Sequence, residues 1–151
     1  MAENIKIIAD NRKARFEYEL SDKVEAGIAL TGTEVKSLRQ GKLNLGDAYC
    51  QVDKGEMWLV DAHISPYAMG NRFNVEPLRR RKLLMHKLEI LKMHQKVKER
   101  GLTLIPTKVY FKHGRVKVEV ALAKGKKLHD KSQAIKSRDL DRDARREAKE
   151  R

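Results

Sequence analysis

Alternation of apolar and polar residues recurs along the chain as far as Ala123 and stops at a handful of turn signals. From Phe16 to Leu30 the run FEYELSDKVEAGIAL alternates on both sides of Ser21-Asp22-Lys23, which predicts two strands and a turn. Thr31 then opens TGTEVKSLRQG. A threonine cap, Glu34 in the first turn, apolar Val35 and Leu38, and Gly41 as a stop predict a helix of about two turns. LGDAYCQV and EMWLVDAHI flank Asp53-Lys54-Gly55, a hairpin signal. PYAMGNRFNVEP, with two prolines, a glycine and two asparagines, reads as a loop. LTLIPTKVYF and VKVEVALA around Lys112-His113-Gly114 make a last hairpin.

One stretch departs from this period. LRRRKLLMHKLEILKMHQKVKERG carries Leu84, Leu88 and Leu91 on one helical face and Ile90, Met93 and Val97 on another, nearly opposed at 100° per residue. A single straight helix would be apolar on both sides, so the pattern predicts a break near His86–Lys87 into two helices, the second ended by Gly101. About six strands in hairpins, with so few helices, fit a small closed or nearly closed barrel. The oligonucleotide-binding (OB) barrel is the commonest such shape. The reading is therefore mainly β: a small β-barrel domain over residues 1–123 and a basic tail over 124–151.

Charge sharpens this picture. The 151 residues include 34 Lys+Arg and 21 Asp+Glu, a net charge of +13, which is most useful beside a polyanion. Nucleic acid is the first candidate and an anionic membrane surface the second. The longest apolar runs are far short of the ~20 residues needed to span a bilayer, and the N-terminus lacks a signal-peptide core. No membrane partner and a cytoplasmic location are expected. Cys50, the one cysteine, lies in an alternating segment and reads as a packed thiol.

Catalytic patterns are missing. The five histidines come with no HExxH and no CxxC, so no metal site is expected. AKGKK lacks the spacing of a phosphate loop, no GxSxG occurs, and no cofactor motif is found. Asp61 and His63 are expected to share a polar face of one strand. The chain reads as a binding protein, not an enzyme.

Nine Lys/Arg lie between Arg79 and Arg100 against Glu89 and Glu99, and eleven from Lys124 to Arg151 against six acids. Four consecutive cations, Arg79, Arg80, Arg81 and Lys82, repel one another without counter-charge, which suggests RNA phosphates. Aromatics are only 5%, too few for a stacking platform on single strands, so a folded RNA read by shape is favoured. The tail holds few apolar residues and is expected to be disordered alone. Asp141–Arg145 and Glu147–Arg151 are acid-first i,i+4 pairs that favour a helix once a partner binds the tail.

GTEVKSLRQGKLNLGDAY (Gly32–Tyr49), GNRFNVEPLRRRKLLMHKLEI (Gly70–Ile90) and AKGKKLHDK (Ala123–Lys131), with NRKARFEY (Asn11–Tyr18) and EAGIAL (Glu25–Leu30), resemble in order the small protein B (SmpB) family of SsrA-binding proteins. The resemblance implies an OB-type barrel with about three packed helices. It implies binding of the tRNA-like domain of transfer-messenger RNA (tmRNA) and its delivery to the stalled ribosome for trans-translation, the protein replacing an anticodon arm. It implies a tail that probes the empty message channel near the decoding region, and a monomer as the working form. By the same resemblance the tmRNA-facing positions are Asn11, Glu25, Lys36, Arg39, Leu84 and His86, to which the basic run Arg79–Lys82 is added. The ribosome-facing positions are Gly125, Lys126, Lys127, His129, Asp130 and Lys131, with Lys136 and Arg138 further along. Val75, Met85, Ser132 and Leu140 depart from residues common in the family. Two other readings stand beside this one: an OB-type translation factor that binds rRNA or tRNA at the ribosomal A site without tmRNA, and a basic RNA-processing enzyme. The second lacks the paired acids or metal cluster it would need.

Overall fold

Two-residue turns close both expected hairpins. Lys54-Gly55 and His113-Gly114 all have positive φ (53°, 78°, 52° and 79°), the conformation whose twist matches that of paired strands. In the computed structural model, which describes residues 5–68 and 74–125, these turns join β4 (Tyr49–Asp53) to β5 (Glu56–Val60) and β8 (Thr103–Lys112) to β9 (Arg115–Gly125). The remaining elements are β1 (Ile5–Asp10), α1 (Arg12–Glu17), β2 (Tyr18–Ile28), α2 (Gly32–Arg39), β3 (Leu43–Asn44), β6 (His63–Ile64), β7 (Arg81–Leu84) and α3 (Lys87–Arg100).

Seven strands pair in the order β1-β8-β4-β5-β7-β2-β9, and β8 also pairs with β9, so six of them form a closed ring with β1 laid along β8. The short β3 and β6 pair separately. The mainly β architecture with three helices is therefore the one the chain adopts over its described residues. Inside the ring lie Met57, Leu59, Leu83, Leu104, Val118, Val120 and Leu122, all at most 3% exposed. Each such side chain contributes about 1.5–3 kcal/mol by leaving water. Cys50 is buried among them, and that burial pushes its thiol pKa up, so it stays a protonated, inert packing group.

The structure differs from the sequence reading at four places, the first being Phe16 and Glu17, which the alternation assigns to a strand and which instead close α1. The SDK segment is not a turn between two strands: β2 runs on through it, with a register shift between Ser21 and Val24 and Asp22 at φ 52°. A bulge absorbs the polar triplet that looked like a loop. The run Arg81–Leu84 is a strand, not the first of two helices. The break falls at His86, as expected, but β7 fills the gap between β5 and β2. Four alternating residues are too few for periodicity to separate strand from helix, and pairing decides. Asp61 lies in a bend before β6 and does not share a strand with His63.

Pro106 sits within β8 at a register shift between Pro106 and Lys108, the kind of irregularity at which a strand tolerates proline. The freed carbonyl accepts from Asn11 Nδ2 at 2.9 Å, and Thr107 O accepts from Asn11 N–H at 2.8 Å. The same Asn11 caps α1, its Oδ1 accepting from Ala14 N–H at 3.1 Å. Beyond Gly125, which pairs with Tyr18, the chain lies outside the described residues.

Candidate nucleic-acid interface

α2 starts with a reciprocal cap. Thr31 Oγ1 accepts from Glu34 N–H, and Glu34 Oε1 accepts from Thr31 N–H at 2.9 Å. Glu34 is only 3% exposed, and a lone buried carboxylate would be costly. Two guanidinium groups answer it: Arg79 donates from Nη2 at 2.7 Å and Nε at 3.0 Å, and Arg81 from Nε at 2.7 Å. Burial alone would raise the Glu34 pKa. Hydrogen bonds from Arg79, the Thr31 backbone and Arg81 outweigh it and hold the carboxyl below its ordinary value. Arg81 is fully buried, and its remaining donors go to the carbonyls of Ala62, Arg79 and Pro77.

This corrects the expectation for the basic run. Its four cations have counter-charge within the fold: Arg79 and Arg81 on Glu34, Arg80 on Asp53 at 3.1 Å, and Lys82 on Glu56 at 2.9 Å. Arg80 also lies 4.2 Å from the Trp58 ring centroid. Arg81 presents no surface to a ligand and ties β7 to α2 and to the loop that leads into β7. Asn11 is likewise withdrawn, 6% exposed and spent on the α1 cap and the β8 bulge. Neighbouring residues in sequence, Asp53 and Glu56, were not seen as partners because no local spacing announces a cross-strand ion pair.

Three other expected residues meet. Glu25, Leu84 and His86 line one open groove of about 610 Å³ between β2, β7 and the start of α3. Leu84 is 53% exposed, which settles it as a surface residue and not a core one. It covers Gly27, where a Cβ would lie 3.4 Å from Leu84 Cβ. The Tyr110 hydroxyl donates to Glu25 Oε1 at 2.7 Å and Lys112 Nζ lies 3.3 Å away. Tyr110 first, then Lys112, hold the Glu25 carboxyl below its ordinary range against the opposing effect of burial. Glu25 is thus a fixed, ionised acceptor at neutral pH. His86 heads α3, its backbone N–H donating to Glu89 Oε1 at 3.3 Å.

Lys82, Lys87 and Lys117 border the groove. Sequence reasoning missed Lys87, Lys117 and Tyr110 as site residues. Lys117 pairs with Gly27 across β2 and β9, and with Tyr110 across β8 and β9, so only register brings it there. Lys87 and Lys117 make no side-chain hydrogen bond or ion pair among the described residues. Lys36 and Arg39 are exposed on α2, Lys36 with its ammonium 5.6 Å from the Tyr67 ring centroid. The groove and α2 are joined through the Glu34–Arg81 contact. Of the expected tail residues, Gly125 ends β9, while Lys126, Lys127, His129, Asp130, Lys131, Lys136 and Arg138 lie outside the described residues.

No group of three or more His, Cys, Asp or Glu suited to a metal occurs among the described residues, and none of the described helices is long and apolar enough to cross a membrane. The surface is built to meet an anion carrying hydrogen-bond donors, and that description fits RNA.

Comparison with known proteins agrees. The model of the family described as SmpB protein matches residues 8–150. An SsrA-binding protein of Desulforamulus reducens is 60% identical over 147 residues, 97% of this chain and 91% of its own length. That of Moorella thermoacetica is 55% identical over 152 residues, 100% of this chain and 98% of its own. A chain of a solved structure described as "tmRNA-SmpB: a journey to the center of the bacterial ribosome" superposes with a TM-score of 0.69 at 46% identity, covering 84% of this chain and 93% of that one.

Proposed function

The chain belongs to the SmpB protein family, and from that premise we propose that it binds the tRNA-like domain of tmRNA and carries it to stalled ribosomes for trans-translation. The match to SsrA-binding proteins along nearly the whole chain carries this reading. The groove residues Glu25, Leu84 and His86 face the RNA. Glu25 accepts from a base amine or a 2′-hydroxyl, Leu84 packs on a ribose or base, and Lys82, Lys87 and Lys117 meet phosphates. Lys36 and Arg39 extend the contact along α2. Arg79 and Arg80 border it, while Arg81 and Asn11 hold the scaffold from inside. The protein performs no bond chemistry of its own and works in the cytoplasm.

Residues 1–123 act as the RNA-binding unit and residues 124–151 as the ribosome probe. On a ribosome without message the tail, from Gly125 through Arg138 and beyond, enters the vacant channel, and its last dozen residues fold as a helix against rRNA phosphates. Ala144→Pro, which blocks that helix at ~3 kcal/mol, should lose peptide tagging and keep tmRNA binding; undiminished tagging would refute the helix. The function as a whole is tested by sequencing the RNA that copurifies with the tagged protein. One long RNA with a tRNA-like end is expected. Recovery of rRNA or ordinary tRNA alone would instead favour an A-site factor working without tmRNA.

A further inference from the structure

α3 is apolar on two opposite sides, and only one has a partner. Ile90 and Met93 are buried against the ring, and Val97 packs beside them. Leu88 and Leu91, on the far side at 100° per residue, are 69% and 57% exposed. Single exposed leucines are ordinary. These two instead sit three residues apart on one face of α3, whose first turn lines the groove beside Leu84 at the end of β7. A solvated helix face gains nothing from leucine that Lys, Glu or Gln would not supply equally well.

Cations edge the stripe on both sides. Lys87 and Lys98 fall on one flank and Lys92 on the other, all exposed, and none makes a side-chain hydrogen bond or ion pair among the described residues. Gln95 lies between the leucines. Of the two α3 acids, Glu89 is turned to the His86 backbone and Glu99 lies exposed at the far end of the helix.

We propose that this outer face of α3 is a second RNA-docking surface, continuous with the groove and occupied by the same RNA molecule. Leu88 and Leu91 pack on ribose faces or unstacked bases while Lys87, Lys92 and Lys98 contact the flanking phosphates. The inference rests on the functional reading above. An RNA duplex offers a wide, shallow minor groove lined with sugars and bordered by phosphates, which matches an apolar stripe with ammonium groups on its flanks. A second copy of the chain would bring lysines against lysines. The shared residues at the junction, Leu84, His86 and Lys87, place the groove's ligand directly beside the stripe.

The test uses the full chain and a transcribed tRNA-like-domain RNA, with affinity measured across a salt series. Leu88→Ser with Leu91→Ser should weaken binding tenfold or more, with an unchanged salt slope and an unchanged thermal midpoint, because no phosphate contact is lost and the leucines are exposed. Lys92→Ala with Lys98→Ala, both outside the groove, should weaken binding and reduce the salt slope by about 1.4–1.8, two contacts at about 0.7–0.9 each. Parent-like affinity in the leucine variant, with the parent binding, overturns the docking surface and leaves the functional reading intact. Failure of the parent itself to bind this RNA overturns both. Intact RNA binding with lost peptide tagging in the leucine variant would assign the face to a ribosomal protein and overturn the inference as well.

Discussion

Two basic regions of this molecule carry charge of the same sign and have opposite physics. In the run Arg79–Lys82 every cation has a carboxylate within the fold, and Arg81 has no exposed surface at all. Around the groove and along α3, Lys87, Lys92, Lys98 and Lys117 have no such partner among the described residues. Charge density along the sequence therefore misleads at the place where it is highest. The densest run is ion-paired within the fold, and the sparser lysines carry the unbalanced field. Removing a paired buried charge strands its partner in a low dielectric, whereas removing a solvated one changes only what the surface can attract.

The largest expected effect comes from breaking the buried side. Arg81→Met leaves Glu34 short of a partner and takes a donor from the Ala62, Arg79 and Pro77 carbonyls, and should destabilise by about 3–5 kcal/mol in urea unfolding. A loss below 1 kcal/mol would show that the network is not structural. Glu34→Gln approaches the same contact from the acid. Because the folded-state value of Glu34 is depressed, its contribution is complete above the ordinary 4.5 and is lost as pH falls through the lower folded value. The variant should lose stability at neutral pH and show a flatter acid side of its pH–stability curve than the parent. An unchanged acid limb would count against the pairing.

On the other side, Lys117→Ala should leave the unfolding midpoint unchanged, weaken RNA binding, and reduce the salt slope by about 0.7–0.9; an unchanged slope removes Lys117 from the interface. The smallest effect is expected for Arg80→Ala. Its ion pair with Asp53 is partly exposed and its guanidinium rests on Trp58, so stability should fall by no more than about 1 kcal/mol. A larger loss would move Arg80 into the buried class and blur the comparison.

Much of this was legible in the residues. The α2 cap, both two-residue hairpins and the Gly101 stop at φ 64° were all visible, because each depends on contacts within a few positions. The opposed leucine and isoleucine stripes of α3 were visible for the same reason. The site was legible in part: Glu25, Leu84 and His86 do converge, but that convergence rests on the closing of β2 on β7, which no short window contains. Asn11 reads as a ligand of RNA through the family resemblance and Arg81 through the basic run around it, and their burial is set by residues 95 positions away in one case and 47 in the other.

The sequence by itself determined where the turns and caps fall, which residues alternate inward, and that the molecule carries a large positive excess. Those properties follow from backbone sterics, side-chain period and formal charge, all of them local. Only the tertiary structure decided which cations are neutralised and which face outward, that Arg81–Leu84 is a strand, and that one apolar face of α3 is covered and the other bare. Those outcomes depend on which distant carboxylate or strand edge arrives alongside, and register between strands fixes that through pairing energies summed over the whole ring.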